Sequence, residues 1–244
     1  MKHNTKYNYA HGSSSTDHGA RTYDIAGMRL PSVTTILAKT KDQQYINRWK
    51  QTVGREEAER IKDYASRRGT AMHKFIEKHI QGVGYDDLTP MGREARTMAH
   101  QIINQGLAPV QEYFGSEITL YYPGLYAGAT DLVCIHDEME TVVDFKQANQ
   151  PKRREWIGDY FLQIAAYAMA HDYVHRSNIQ QAIIMLCTAD NYYQEFKIQG
   201  IDLMREKHKF LKRLDMYHDL KFDEKEQANV GYIDFEQDRT DKKA

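Results

Sequence analysis

The sequence predicts an α/β protein in which helices flank a mixed central β-sheet. Three observations lead there. The elements read in the order helices, three consecutive strands, a helix, two strands and a last helix. The 244 residues are 41% hydrophobic and 27% charged, enough for one substantial domain with a core of its own. The apolar runs are short and turn-bounded, and none approaches the ~18 residues that a membrane span requires.

The opening MKHNTKYNYAHGSSSTDHGA is polar, has no apolar segment and carries few arginines. Neither a secretory signal nor a transit peptide fits it, so residues 1–20 are expected as a flexible lead-in and the protein as cytoplasmic. RTYDIAGMRLPSVTTILAKT reads as a short hairpin through Gly27, then a helix from near Pro31 and Ser32 with the serine as N-cap. DQQYINRWKQTV and GREEAERIKDYASRRGTAMHKFIEKHIQG have helical periodicity, the second ending at Gly82. TPMGREARTMAHQIINQGLAPVQEYF is expected to be helical with a break near Gly106 and Pro109. EITLYYP, LYAGATDLVCIH and ETVVDFKQA are then three strands joined by tight turns. The helix EWIGDYFLQIAAYAMAHDYV follows, then strands QAIIMLC and YYQEFKI around TADN, then the helix DLMREKHKFLKRLDMYHDL. The chain thus divides into the lead-in, one domain over 21–220 and a charged, loosely ordered tail over 221–244.

Cys134 and Cys187 are the only cysteines, so neither a disulfide framework nor a four-cysteine iron–sulfur cluster can be built. The formal net charge is -1, and any attraction for nucleic acid must therefore be local. From Lys39 to Lys78 there are 11 Lys and Arg against 6 Asp and Glu, a net of +5. Lys152, Arg153 and Arg154 form a second basic cluster.

Asp-x-Lys occurs four times, and a bare match means little. Asp219/Lys221, Asp223/Lys225 and Asp241/Lys243 lie in polar, lysine-rich sequence where charges are simply solvated. Asp144 and Lys146 differ because they share one face of an otherwise apolar strand, TVVDFKQ. Charges there are costly unless paired or metal-bound. The HDEM turn would fold this strand back beside the one carrying Asp131, so the two aspartates converge. Two close carboxylates ionise together most readily around a divalent cation, and oxygen ligands favour magnesium or manganese. Lys146 beside them is a point charge suited to a phosphate. Glu195-Phe196-Lys197 is a rival in a later strand, but it lacks an acidic hairpin partner and reads as a solvated face.

PSVTTIL, RWKQTVG, RRGTAMHKFIE, GATDLV, VVDFKQ and LQIAAY occur in an order that resembles the PD-(D/E)XK nucleases. The resemblance is in particular to the RecB-like exonucleases of the mitochondrial genome-maintenance group and its bacteriophage relatives. It runs from about Pro31 to His171. It implies a restriction-endonuclease-like core with a helical N-terminal portion. It also implies a metal site of His73, Asp131, Asp144 and the Phe145 main-chain carbonyl, Lys146 as catalytic lysine, and Gln163 and Tyr167 near the active site and the DNA. Glu117 is a further carboxylate candidate. Glu77 either supports His73 one turn away or pairs with a neighbouring lysine.

The activity this implies is Mg2+-dependent hydrolysis of DNA from free ends, single strands preferred, with Mn2+ able to substitute and no iron–sulfur cluster. The setting is DNA degradation, replication or recombination in a bacterial or phage-infected cell, with replication or recombination proteins as partners and no membrane. Arg67, Arg68, Lys74, Lys152, Arg153 and Arg154 would track phosphates, with Trp49, Tyr160 or Tyr167 placed to stack on bases. A structure-specific endonuclease would use the same site without needing a free end. A non-catalytic single-strand-binding protein would leave Asp131, Asp144 and Lys146 without a purpose.

Overall fold

The computed structural model describes the backbone of residues 1–42 and 44–240, and side chains except those of residues 45–47, 49 and 223–240. A polar hairpin comes early. β2 (Gly12–Asp17) pairs antiparallel with β3 (Ala20–Ile25), and β3 with β4 (Met28–Pro31), after β1 (Lys2–His3). The β3–β4 turn places Ala26 and Gly27 at positive φ, as the expected hairpin through Gly27 requires. Ser32 then caps α1 (Val33–Lys39), its hydroxyl accepting from the Thr35 amide at 3.0 Å.

Three helices follow: α2 (Gln44–Val53), α3 (Arg55–Ile80) and α4 (Pro90–Gln101). Thr89 caps α4, with Pro90 in its first turn. The expectation that helix continues through VQEYF is corrected here. A π-helical turn over Ile102–Gly106 ends it, Pro109 intervenes, and β5 runs from Val110 to Tyr122. Gly106 allows the turn to press on the sheet, since a Cβ there would lie 2.6 Å from Met185 Sδ.

The main sheet has the order β1-β5-β6-β7-β8-β9. β5, β6 (Tyr126–His136) and β7 (Met139–Ala148) form an antiparallel meander, as the tight turns predicted. After α5 (Gly158–His175) crosses one face, β8 (Gln181–Thr188) lies parallel to β7, and β9 (Tyr193–Gln199) closes the edge antiparallel to β8. The sheet is therefore mixed, as expected. Residues 1–20, expected as a lead-in, are built into the fold: β1 pairs parallel with β5, and Tyr7 and Tyr9 pack against the core.

Alternation along the strands makes two cores. Val133, Val142 and Ile184 face α5, α1 and α6 (Gly200–Thr240), meeting Ile164, Ala165, Ile36 and Phe210. Leu132, Val143, Phe145 and Met185 face α3 and α4, meeting Met72, Ile76 and Met98. α5 is apolar nearly all round because the sheet covers one side and α1 and α6 the other. Tyr23, Ile25 and Leu30 of the small sheet close on Ala127 at the start of β6, which brings β3 to the rim of the site.

Candidate active site

The site grows from strand register. In β5 and β6 the pairs Ser116↔Leu132 and Ile118↔Thr130 bracket Glu117 and Asp131, so these two carboxylates face each other across the ladder. Asp131 and Asp144 stand one step beyond Leu132↔Val143, the last pair of the β6–β7 ladder at that end. Three acidic residues thus form a row across three adjacent strands. Two of them depart from regular strand geometry. Glu117 has φ 51, a left-handed conformation rare for a residue with a side chain, in β5, whose ladder shifts register between Tyr113 and Gly115. The Asp131 carboxylate accepts the Phe145 amide at 2.5 Å, taking an N–H that a continued ladder would give to main chain.

α3 supplies the imidazole. His73 Nε2 donates to the Phe145 carbonyl at 2.9 Å, while Nδ1 lies 3.3 Å from Asp131 Oδ1 and 3.8 Å from Glu117 Oε1. Among the described residues, donor atoms of His73, Glu117 and Asp131 lie within 4.8 Å of one another, a set able to hold a metal ion. Asp144 is buried beside them. Its Oδ1 accepts from Gln163 Nε2 at 3.2 Å, and its Oδ2 meets the Lys146 ammonium as an ion pair. Gln163 also donates to the Tyr167 hydroxyl at 3.0 Å, so the i,i+4 pair on α5 acts as one bracket behind Asp144. Gly128 makes room for it, since a Cβ there would meet Tyr167 Cε1 at 2.6 Å.

The electrostatics follow from burial and neighbours. Burial pushes the Asp144 carboxyl up to about 6, with the Asp131 charge adding to it and the Lys146 ammonium opposing. Burial alone would raise Asp131 too, but the His73 imidazolium and Lys146 hold it below its ordinary value. Burial works against the His73 cation, yet Asp131 and Glu117 raise that imidazole to about 10. Lys146 stays above its ordinary value despite desolvation because Asp144 and Asp131 face it. Positive and negative charges are interleaved within one desolvated site.

The row forms the floor of an open cavity of about 790 Å3. Arg21 and Tyr23 of β3 line one wall, Gly69, His73, Lys74 and Glu77 of α3 another, and Tyr160, Gln163 and Tyr167 of α5 a third. Of the residues expected from sequence, His73, Asp131, Asp144, Phe145, Lys146, Gln163 and Tyr167 all line it. The two open candidates do as well. Glu117 contacts His73 directly, whereas Glu77 accepts a hydrogen bond from Gln81 at 2.7 Å. Lys146 Nζ also lies 5.2 Å from the Tyr160 ring centroid.

The expected basic residues divide. Lys74 is in the cavity wall, and Arg67 is exposed beside Asp63. Arg68 is buried instead: its guanidinium donates to Glu94, Gln147 and Asn149, which ties α3 to α4 and β7. Lys152, Arg153 and Arg154 lie outside the cavity, with the Arg153 guanidinium 5.3 Å from the Trp156 ring and that of Arg154 4.6 Å from Phe161. The side chain of Trp49 lies outside the described residues. Glu195 and Lys197 sit on edge strand β9 away from the cavity, Lys197 paired to Asp137 at 2.8 Å. Arg21 and Tyr23 line the cavity without any motif to announce them, and Gln147, the last residue of VVDFKQ, lines it too.

The donor set fits a hard divalent cation: carboxylate oxygens of Glu117 and Asp131, the His73 imidazole, and the carboxylate of Asp144 on the next strand. Among the described residues, no helix is long and apolar enough to cross a membrane.

No family model matches the chain, and no curated protein matches it. Among solved structures it is similar to one described as "Putative exonuclease" from Eubacterium rectale, at 10% identity and a TM-score of 0.44. That match covers 61% of this chain and 64% of the other, so the chain spans under two thirds of that protein's length. It is also similar to an alkaline exonuclease from Laribacter hongkongensis, at 15% identity and a TM-score of 0.32, covering 65% of this chain and 84% of that one. The same exonuclease in complex with dAMP matches at 13% identity and a TM-score of 0.30, covering 65% and 84%. Likenesses this distant leave the functional case to the geometry of the site.

Proposed function

We propose that this chain is a metal-dependent deoxyribonuclease of the RecB-like PD-(D/E)XK kind that hydrolyses phosphodiester bonds from free ends, single strands preferred. The observation that carries the reading is the row Glu117, Asp131, Asp144 with Lys146 beside it and His73 over it, on the floor of an open cavity. Mg2+, or Mn2+ in its place, would be held by Asp131, Asp144, His73 and Glu117 with the Phe145 carbonyl at hand, and would supply Lewis acidity toward a phosphate oxygen and toward water.

The chain's own residues account for the rest. Lys146 places a positive charge where a scissile phosphate would lie against Asp144, stabilising the charge that builds on the phosphate oxygens. Gln163, fixed by Tyr167, holds Asp144 in one rotamer. In the hydrolysis, a water oxygen bonds to phosphorus, the bond from phosphorus to the leaving sugar oxygen breaks, and that oxygen takes up a proton. Tyr160, in the α5 wall, offers a ring for a base of a frayed strand. No base-reading constellation is required, so cleavage is indifferent to sequence. DNA degradation, replication or recombination in a bacterial or phage-infected cell is the setting that suits such an enzyme.

End-labelled linear single strands, linear duplex and covalently closed single-stranded circles, each incubated with Mg2+, test it. The expected result is shortening of the linear single strand, slower attack on duplex and sparing of circles. Efficient cutting of circles, abolished by Asp131→Ala, would replace the exonuclease reading by an endonuclease one.

A further inference from the structure

A second cavity of about 150 Å3 lies on the outer side of the α3–α4 pair, lined by Lys78, His79, Arg96 and His100 around Phe75 and Tyr85. Four side chains that can carry positive charge line it, and among the described residues no carboxylate does. The nearest acids sit at the rim: Asp86 is 3.2 Å from Arg96, and Glu77 is 4.0 Å from Lys78. Burial first, then the positive charges of the chain's amino group and of His100, hold the His79 imidazole below its ordinary value, so Lys78 and Arg96 are the standing cations of this cavity.

The cavity is joined to the active site. Lys74 lines the large cavity, and its ammonium lies 5.7 Å from the Tyr85 ring, which lines the small one and packs edge-on to Phe75 at 4.8 Å. Lys74 and Lys78 are i,i+4 on α3 and so form one ridge from His73 outward. From His73 to Lys78 the helix rises by about 7.5 Å, so the small cavity is displaced along α3 from the position of the scissile phosphate. A volume of this size admits a phosphate group but no nucleobase stack.

We infer that the Lys78–His79–Arg96–His100 cavity is a phosphodiester-binding site that holds the substrate strand at a phosphate other than the scissile one, with Lys74 and Tyr85 as the path between. This rests on the nuclease reading for the identity of the strand, but not for the binding of phosphate. The chemistry is charge-assisted hydrogen bonding of phosphate oxygens by Lys78 and Arg96, with the two imidazoles as ring N–H donors. It explains why two histidines and two longer cations converge around Phe75, Tyr85 and Ile103 at the edge of the α3–α4 core.

The test is fluorescence anisotropy of a labelled 20-nucleotide single strand with Ca2+ present, over a salt series, on the full chain. Lys78→Gln/Arg96→Gln is compared with Lys209→Gln/Lys212→Gln, which removes equal charge from α6, and cleavage of a dinucleotide, which has only the scissile phosphodiester, is followed in parallel with Mg2+. The inference predicts about tenfold weaker strand binding and a salt slope smaller by about 1.4 for the cavity variant, neither change in the α6 variant, and dinucleotide cleavage within twofold of wild type. Equal binding and equal slope in all three proteins would overturn the site while leaving the nuclease reading intact. Weaker binding of the cavity variant with no cleavage by any protein would support the site and overturn the nuclease. No strand binding by the wild type would overturn both.

Discussion

Arg68→Met separates a buried clamp from a phosphate contact. The Arg68 guanidinium donates to Glu94 Oε1 at 2.7 Å, to Gln147 Oε1 at 3.1 and 2.6 Å, and to Asn149 Oδ1 at 2.6 Å. Its side chain is 4% exposed and that of Glu94 29%. Removing one partner of a buried ion pair costs about 3–5 kcal/mol. Glu94 is partly hydrated and keeps the Tyr64 hydroxyl at 2.7 Å, so the lower end applies, about 3 kcal/mol. Methionine fills most of the volume, and little is added for a cavity. At a slope of roughly 3 kcal/mol/M in urea, the unfolding midpoint should fall by about 1 M. Arg68→Lys keeps the charge but loses the planar fork, and should fall about half as far. Arg67→Met, one residue away and exposed, should stay within about 0.5 kcal/mol. A midpoint shift below about 0.3 M for Arg68→Met, at unchanged slope, would refute the clamp and return Arg68 to the surface.

Gly128→Ala sets a Cβ 2.6 Å from the buried Tyr167 ring, so it should cost about 1–3 kcal/mol by the same urea assay and lower cleavage through Gln163; wild-type stability would show that α5 can yield. His171, fully buried, accepts from the Tyr9 hydroxyl and donates to Ser177, and burial pushes its imidazole down to about 3 from 6.5. Its neutral form is therefore the folded one. The stability it contributes is complete above about pH 6.5 and is lost as pH falls toward 3, by up to about 1.4 kcal/mol per unit. Urea midpoints at pH 7 and 5 should diverge more for wild type than for His171→Gln, and equal slopes would contradict this. Lys146→Ala should lower the cleavage rate by several orders of magnitude while Lys197→Ala leaves it within twofold; equal losses would show that lysines act through general attraction for DNA.

The β6–β7 hairpin and its aspartates were legible because short-range rules govern them: period-two alternation, a turn at HDEM, and a charge pair where apolar residues belong. Gln163 and Tyr167 were legible as an i,i+4 pair, although their bond to Asp144 is tertiary. Glu117 stayed open because its aim depends on φ 51 at a bulged strand, which no local pattern announces. Arg68 read as a phosphate contact because it lies in a basic helical stretch; its partners Gln147 and Asn149 lie 79 and 81 residues away. Residues 12–17, GSSSTD, contain nothing apolar, and their strand exists because β3 offers an edge. Arg21 and Tyr23 reach the cavity only through that small sheet.

The central claim is that the carboxylate row and Lys146 form one hydrolytic site on DNA, and Asp144→Asn tests it most directly. The amide keeps the shape of the side chain and its contact with Gln163, but removes the charge that faces Lys146. Cleavage of an end-labelled single strand with Mg2+ should fall to background, while the urea midpoint stays close to wild type and strand binding in Ca2+ remains measurable. Hydrolysis at an undiminished rate by Asp144→Asn would contradict the account and place the chemistry elsewhere.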